Sequence, residues 1–270
     1  MTALFDTNCH LDFPELSADL DEELARARLL GVTGWLVTGT EPTQWQRLGP
    51  LRKHQGVRLA VGIHPWWVEE VNARGERALD DALESLRSRA LEVGAVALGE
   101  CGLDRVRAER QGVGLELQSR AFEGQLALAR ELALPVVLHV VGAHGAALDV
   151  LRRGGPLPAG GVVHGFAGSE ALARHYLSRG LHVGFGFAVT SDVAWRAREA
   201  ASRLPLERCL LETDAPDQAP RGGRREGAQR GSGRPYELPV VARAVAELRG
   251  LPPSEVARRT YGNALALFGG

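Results

Sequence analysis

The sequence predicts an α/β protein, a single-domain (β/α)₈ barrel of the TIM type that spans residues 1–270. Three observations support this prediction. Short apolar runs alternate with longer segments of helical period, as in βα units repeated around a parallel sheet. There are eight such runs, and a length of 270 residues is normal for one barrel of eight units. The third observation is that residue types able to bind metals lie at the ends of these runs.

The predicted strands cover residues 3–8, 34–38, 58–63, 95–100, 135–139, 161–165, 181–186 and 208–213. Their near-continuous apolar character is typical of strands buried on both faces. The segments between them have helical spacing, for example at 114–133. An open doubly wound sheet would show the same alternation, but it predicts a glycine-rich phosphate loop after the first strand. Since no glycine occurs before Gly31, the barrel is favoured.

Composition narrows the class of protein. The chain is 44% hydrophobic and 24% charged, as is typical of a globular fold, and its net charge of -1 excludes a surface that is positive throughout. No apolar run approaches the roughly 20 residues that span a bilayer, and the N-terminus does not resemble a signal peptide. We therefore expect a cytoplasmic protein with no membrane association, and no feature indicates an obligate protein partner. The cysteines Cys9, Cys101 and Cys209 form no CxxC pair, which argues against disulfides and thiolate zinc sites.

Local basic patches could still bind a polyanion. One contains Arg105, Arg107 and Arg110, and the other lies in the irregular stretch 217–234, where Arg224, Arg225 and Arg234 are candidate contacts to substrate phosphates. A solvated loop is the alternative for either patch. The pair Trp66-Trp67 either stacks on bases or caps the barrel core.

Residues that can bind metals lie at or just after the ends of six predicted strands. They are His10, His64, Glu100, His139, His164 and Asp214. A barrel brings the carboxyl ends of its strands to one rim, where active sites of this fold lie. One histidine alone is more often a core residue, but unpaired buried charge is costly, and six such residues on one rim indicate a divalent metal. Imidazole and carboxylate together suit zinc, manganese or iron, and magnesium less well.

Six ordered segments resemble the TatD family of deoxyribonucleases, and the C-terminal Asn263-Ala264-Leu265-Ala266-Leu267-Phe268 resembles that family's ending. The six segments read Asp6-Thr7-Asn8-Cys9-His10-Leu11-Asp12, Gly62-Ile63-His64-Pro65, Gly99-Glu100-Cys101-Gly102-Leu103-Asp104, Pro135-Val136-Val137-Leu138-His139, Gly161-Val162-Val163-His164-Gly165-Phe166-Ala167-Gly168-Ser169 and Glu212-Thr213-Asp214-Ala215-Pro216. The resemblance implies a barrel of the amidohydrolase superfamily, a two-metal site and hydrolysis of phosphodiester bonds by metal-activated water, typically in DNA.

The resemblance also implies roles for individual residues. Glu100 would bridge two metals, with His139 and His164 completing one site and His10 and Asp214 the other. Asp214 would also accept the proton of the attacking water, and His64 would contact the phosphate.

The chain departs from the family at the first strand. The family has a His-x-His pair there, whereas this chain has Asn8-x-His10. An amide oxygen of Asn8 would be a weaker ligand than imidazole, so we expect one or two ions per chain.

Two other functions remain open from the sequence. The same superfamily hydrolyses small-molecule and aminoacyl esters or amides, and the lack of a basic residue just after His139 favours such a substrate. The second alternative is that the chain is a non-catalytic relative. Asn8 would then mark the loss of a metal, and the barrel would serve as a binding module.

Overall fold

The computed structural model describes residues 2–72, 77–112, 114–220 and 232–269. Eight strands form one parallel sheet in which each strand pairs with the next along the chain. The strands are β1 (Leu4–Cys9), β2 (Val32–Thr38), β3 (Val57–Val61), β4 (Ala97–Asp104), β5 (Val136–Val141), β6 (Gly161–Val163), β7 (Leu181–Phe185) and β8 (Cys209–Leu211). All eight predicted strands are present, in the predicted order.

Helices lie between the strands and after the last one. They are α1 (Pro14–Ser17), α2 (Leu20–Leu29), α3 (Pro42–Leu48), α4 (Pro65–Asn72), α5 (Ala78–Val93), α6 (Arg105–Gln111), α7 (Glu116–Glu131), α8 (His144–Gly154), α9 (Glu170–Leu177), α10 (Trp195–Arg203), α11 (Leu238–Arg249) and α12 (Pro253–Phe268). The helix predicted over 114–133 is α7. None of the described helices is long and apolar enough to span a bilayer; the cytoplasmic location stays a prediction.

Hydrogen bonds join β1 to β8 and to the segment that follows it. The hydroxyl of Thr7 donates to the carbonyl of Leu211 (3.0 Å). The backbone N–H of Asp214 donates to the carbonyl of Asn8 (2.9 Å), and that of His10 donates to Ala215 (2.8 Å). These bonds bring the first and last strands together, and the predicted (β/α)₈ barrel is confirmed. That residues 1–270 form one domain remains our proposal.

A small apolar cluster fills the barrel beneath the rim. Leu36, Val137, Val162 and Leu210 belong to it, together with Phe268 of α12. Strand side chains alternate between faces, so residues two positions further along point the same way. Those positions are Thr38, His139, His164 and Glu212. A layer of polar side chains therefore lies directly on an apolar layer, and the larger core cluster packs between sheet and helices.

Two strands, β4 and β5, end at least two residues later than predicted. β4 continues to Asp104 and β5 to Val141, where the prediction ended them at residues 100 and 139. The extension arises because Cys101 to Asp104 pair in register with Leu138 to Val141. Glu100 therefore lies within a strand rather than at its end.

Candidate metal centre

Glu100 lies at the centre of the polar layer and is 2% exposed. Its Oε2 atom faces three imidazoles. The His164 Nε2 atom is 2.9 Å away, and His139 Nδ1 and His64 Nε2 are each 3.6 Å away. We call this group the histidine side of Glu100.

The Oε1 atom of Glu100 faces a different group, which we call the amide side. His10 Nε2, Asn8 Nδ2 and Thr38 Oγ1 each lie 3.1 Å from Oε1. Asp214 closes this side, with its Oδ1 atom 3.2 Å from Asn8 Nδ2 and 3.4 Å from His10 Nε2. All five side chains belong to buried residues.

Hydrogen bonds behind the rings fix which nitrogen of each histidine faces Glu100. The far nitrogen of His10, Nδ1, lies 3.0 Å from the Thr38 carbonyl, and that of His139, Nε2, lies 3.4 Å from Asp104 Oδ2. Because a carbonyl or carboxylate can only accept, those nitrogens carry the proton of the neutral ring. The nitrogen directed at Glu100 then has a free lone pair, as a metal ligand requires.

His164 has a similar acceptor in Glu212. The Nδ1 atom of His164 lies 3.5 Å from Oε1 of this fully buried carboxylate, which also accepts from the Gly165 N–H. Gly184 makes room for Glu212, since a Cβ at residue 184 would collide with its Oε2 atom. With Nδ1 turned toward Glu212, Nε2 is the nitrogen of His164 that faces Glu100.

His64 has the opposite arrangement. The backbone N–H of Trp66 donates to its Nδ1 atom (3.1 Å), so the Nε2 atom carries the proton of the neutral ring. Burial and the neighbouring His139 hold the pKa of His64 well below its usual value, which keeps the ring neutral. His64 therefore presents an N–H donor rather than a lone pair, although its position is close to Glu100 and His139.

The amide of Asn8 is oriented by Thr38. The Thr38 hydroxyl donates to Asn8 Oδ1 (2.6 Å), which directs Nδ2 toward Glu100 and Asp214. The two hydrogens of the amide match the two carboxylate oxygens, although Nδ2 also lies 3.1 Å from His164 Nδ1. The sequence led us to expect the amide oxygen as a weak ligand. In the observed orientation Asn8 is a donor, because an amide nitrogen has no available lone pair.

Charge balance in the cluster is reflected in its pKa values. Burial alone would raise the pKa of Glu100, but contacts with His164, His10 and His139 outweigh it, and the pKa lies well below the usual value. For His10, burial is outweighed by Asp214 and Glu100, which raise its pKa well above the usual value. A cation bound at Glu100 therefore has to compete with imidazole protons.

Asp214 has a backbone conformation that few residues adopt. Its φ is +53°, in the left-handed region that aspartate tolerates better than most residues. Its Oδ2 atom accepts a hydrogen bond from Gln218 Nε2 (2.8 Å), while Oδ1 faces the amide side. Both carboxylate oxygens are thus held in place.

A cavity of about 590 Å³ opens above the cluster, and Trp66 and Arg107 line it together with the site histidines. Trp66 is 45% exposed, whereas Trp67 is 6% exposed and packs in the core. Trp67 therefore packs in the core, as one alternative predicted, whereas the Trp66 ring is open to the cavity.

The structure does not bring every candidate to the cavity. Arg234 donates through Nη1 to the Glu15 carbonyl (2.7 Å) and to Glu23 Oε1 (3.1 Å), and it does not line the cavity. Arg224 and Arg225 lie outside the described residues. Thr38, Asp104, Glu212 and Gln218 contact the cluster, but the sequence analysis gave them no role. Asp104 and Glu212 belong to segments already singled out, and Thr38 ends the second strand.

Comparison with known proteins identifies the family. The model described as TatD related DNase matches residues 5–269. The chain belongs to the TatD family. Its relatives include the "Uncharacterized metal-dependent hydrolase YjjV" of Escherichia coli K12, 35% identical over 264 residues, 97% of this chain and 96% of that protein. The "3'-5' ssDNA/RNA exonuclease TatD" of Erwinia amylovora is 36% identical over 269 residues, 98% of this chain and 100% of that protein.

Solved structures of TatD proteins share the fold. The crystal structure of YjjV, a TatD homologue from Escherichia coli K12, has a TM-score of 0.86 and 34% identity, covering 99% of this chain and 98% of that chain. A TatD family hydrolase from Entamoeba histolytica has a TM-score of 0.82 with 20% identity, covering 99% of both chains, and at that identity it supports the fold alone. The predictions of a TatD family member and of a metal-dependent hydrolase acting on ester bonds are confirmed.

Proposed function

We propose that this chain is a metal-dependent nuclease that hydrolyses phosphodiester bonds of single-stranded nucleic acid. The observation that carries the proposal is the convergence of His10, His139 and His164 on one buried carboxylate, with an acceptor behind each ring that leaves the opposite nitrogen facing Glu100. The names of the TatD relatives support a nucleic-acid substrate and favour it over small esters and over a binding module.

The histidine side fits a divalent cation. Glu100 Oε2, His139 Nδ1 and His164 Nε2 lie within 3.6 Å of one another, and both rings have acceptors behind them. Imidazole and carboxylate donors suit zinc or manganese, and magnesium less well. These three residues would hold the tighter ion.

The amide side fits a cation less well. His10 Nε2 and Asp214 Oδ1 offer lone pairs beside Glu100 Oε1, but Asn8 presents a donor to the same oxygens. A cation here requires the Asn8 amide to turn over, which breaks the bond from Thr38 to Oδ1. We propose that an ion on this side is weakly held.

The bound cation would supply acidification of water and neutralisation of charge on phosphate oxygens. The chain's own residues do the rest. The Oδ2 atom of Asp214 accepts a hydrogen bond from Gln218, and its Oδ1 atom, which faces the amide side, would accept the proton of the attacking water. His64, neutral and protonated at Nε2, donates a hydrogen bond to a phosphate oxygen at the cavity floor.

Salt dependence tests the substrate class. Binding and cleavage of single-stranded DNA or RNA should weaken steeply as salt rises, because phosphate contacts release counterions. Hydrolysis of a neutral aminoacyl or acetyl ester should show no such slope. Efficient cleavage of neutral esters combined with no cleavage of oligonucleotides would replace the nuclease proposal with an esterase.

Arg224 and Arg225 remain proposed phosphate contacts, on sequence grounds alone. Changing both to Ala should reduce the salt slope by about two units, since each phosphate contact contributes about one. For Arg234 the ion pair with Glu23 supports a structural role in place of phosphate binding.

A further inference from the structure

Trp66 places a large aromatic surface beside the metal centre. It is the second residue of α4 and follows His64-Pro65 directly. Its side chain lines the cavity and is 45% exposed. Most of the large apolar side chains around the sheet are buried. A half-exposed indole at the mouth of a polar cavity offers a flat face to a ligand.

The indole is held in a fixed orientation. Its Nε1 atom donates to Asp104 Oδ2 (2.5 Å), the same oxygen that lies 3.4 Å from His139 Nε2. The His64 ring meets it edge-on, with centroids 5.2 Å apart. Asp104 thus joins the tryptophan to a proposed metal ligand, and a ligand stacking on Trp66 meets a preorganised surface.

Arg107 provides a cation at the same place. Its guanidinium carbon lies 5.5 Å from the centroid of the Trp66 ring, and it lines the cavity. The buried Nε atom makes no hydrogen bond to any residue that the structure describes. By contrast, Arg105 on the same helix donates through Nε to the Gly142 carbonyl (3.0 Å).

Arg107 has a donor that is unpaired among the described residues, and it lies beside the face of Trp66 in the cavity above the proposed phosphodiesterase centre. Together these two side chains could bind one nucleotide of a nucleic-acid chain. Phosphate oxygens accept the fork of arginine donors, and every base has a face that stacks on an aromatic ring. Bases in a duplex are already stacked on both faces. A subsite of this kind therefore selects unpaired nucleotides with little preference for sequence.

We propose that Trp66 and Arg107 form a nucleotide subsite beside the metal centre, in which Trp66 stacks on a base and Arg107 pairs with a phosphate next to the scissile one. This inference rests on the proposed nuclease function. In this subsite Trp66 selects single-stranded substrate, and Arg107 supplies a local phosphate contact in a protein whose net charge is -1.

Two oligonucleotides of equal length separate base from phosphate: a single-stranded deoxythymidine chain and its fully abasic counterpart. Trp66→Ala should raise KM for the deoxythymidine chain about tenfold or more and leave KM for the abasic chain unchanged. Trp66→Phe should recover most of the loss. Trp195→Ala, which removes an exposed tryptophan that does not line the cavity, is the matched control.

For the arginine, Arg107→Ala should weaken the binding of both oligonucleotides equally. It should also reduce the slope of log affinity against log salt concentration by about one unit. Arg105→Ala is the matched control and should leave the slope unchanged. Anisotropy of labelled oligonucleotides in chelator measures binding without cleavage. Equal binding by wild type and Trp66→Ala overturns the subsite, whereas failure of the wild type to cleave either oligonucleotide overturns the nuclease proposal and leaves the anisotropy comparison valid.

Discussion

The two oxygens of Glu100 meet different neighbours. On the histidine side, Oε2 faces His139 and His164, each of which has an acceptor behind its ring, and His64, which presents an N–H. On the amide side, Oε1 faces His10 and also Asn8, whose amide donates to both carboxylates. Buried carboxylates are costly unless a cation or donor satisfies them. A single amide can therefore satisfy the carboxylates of a metal site and so weaken their need for an ion.

Substitution of Glu100 should abolish metal binding on both sides. Glu100→Ala, or the isosteric Glu100→Gln, deprives both sides of their shared ligand, so metal content should fall to background. Turnover should fall about 10³-fold or more, because the cation contributes several kcal/mol of transition-state stabilisation. Metal analysis, turnover and circular dichroism on the same preparation check this. Near wild-type turnover in a folded variant would show that Glu100 does not hold the ions.

His64 differs from the other two histidines beside Glu100 Oε2 in presenting an N–H. If it is a phosphate donor and not a ligand, His64→Ala should lower kcat about 10²–10³-fold with metal content unchanged. His144→Ala is a control, since His144 bonds to the Tyr176 hydroxyl (2.9 Å) away from the cavity. Loss of metal together with activity in His64→Ala would make His64 a ligand instead.

Glu212 allows the histidine side to be weakened alone. Glu212→Gln preserves the shape of the side chain but removes the charge behind His164, so metal affinity there should fall about 10–100-fold. The amide side should keep its affinity, because Glu212 does not contact His10. A two-phase metal titration, with thermal unfolding as the check on folding, measures both. An equal loss of metal affinity on the two sides would show that the two ions do not bind independently.

The smallest effect is expected on the amide side. Asn8→His exchanges a donor for an imidazole and should raise affinity for the weaker ion about tenfold. Thr38→Val frees the Asn8 amide to turn over and should raise that affinity less. The measurement is a metal titration of the three proteins, followed by activity. Two ions bound with equal strength in wild type, or no change in Asn8→His, would show that the amide does not govern this side.

Much of this architecture could be predicted because it follows from alternation and repetition. Apolar strands flanked by helical segments predict the barrel, and the convergence of strand ends on one rim predicts that His10, Glu100 and Asp214 meet. The sequence could not give the direction of the Asn8 amide, since that depends on the Thr38 hydroxyl of the neighbouring strand. Nor could it separate His64 from the other histidines, because the difference lies in a backbone N–H behind the ring.

The basic residues were the least predictable. Clusters of arginine were visible in the sequence, but which guanidinium is paired depends on tertiary contacts. Arg234 is bound by Glu23, whereas the Nε atom of Arg107 has no partner among the described residues. The charge pattern of the sequence identifies candidate basic patches. This unpaired Nε donor then singles out Arg107 within its patch as the candidate phosphate contact.

The closure of the barrel between β1 and β8 has a consequence for the order in which the site is assembled. The histidine side draws on residues 64, 100, 139 and 164, which lie in or shortly after four strands, β3 to β6, that are consecutive along the chain. The amide side joins Asn8 to Asp214, which are separated by 206 positions. Contacts between distant positions form late, since a long loop must close first. During synthesis, a chain that has reached residue 164 contains all of the first group, whereas the second group is complete only when residue 214 returns to residue 8.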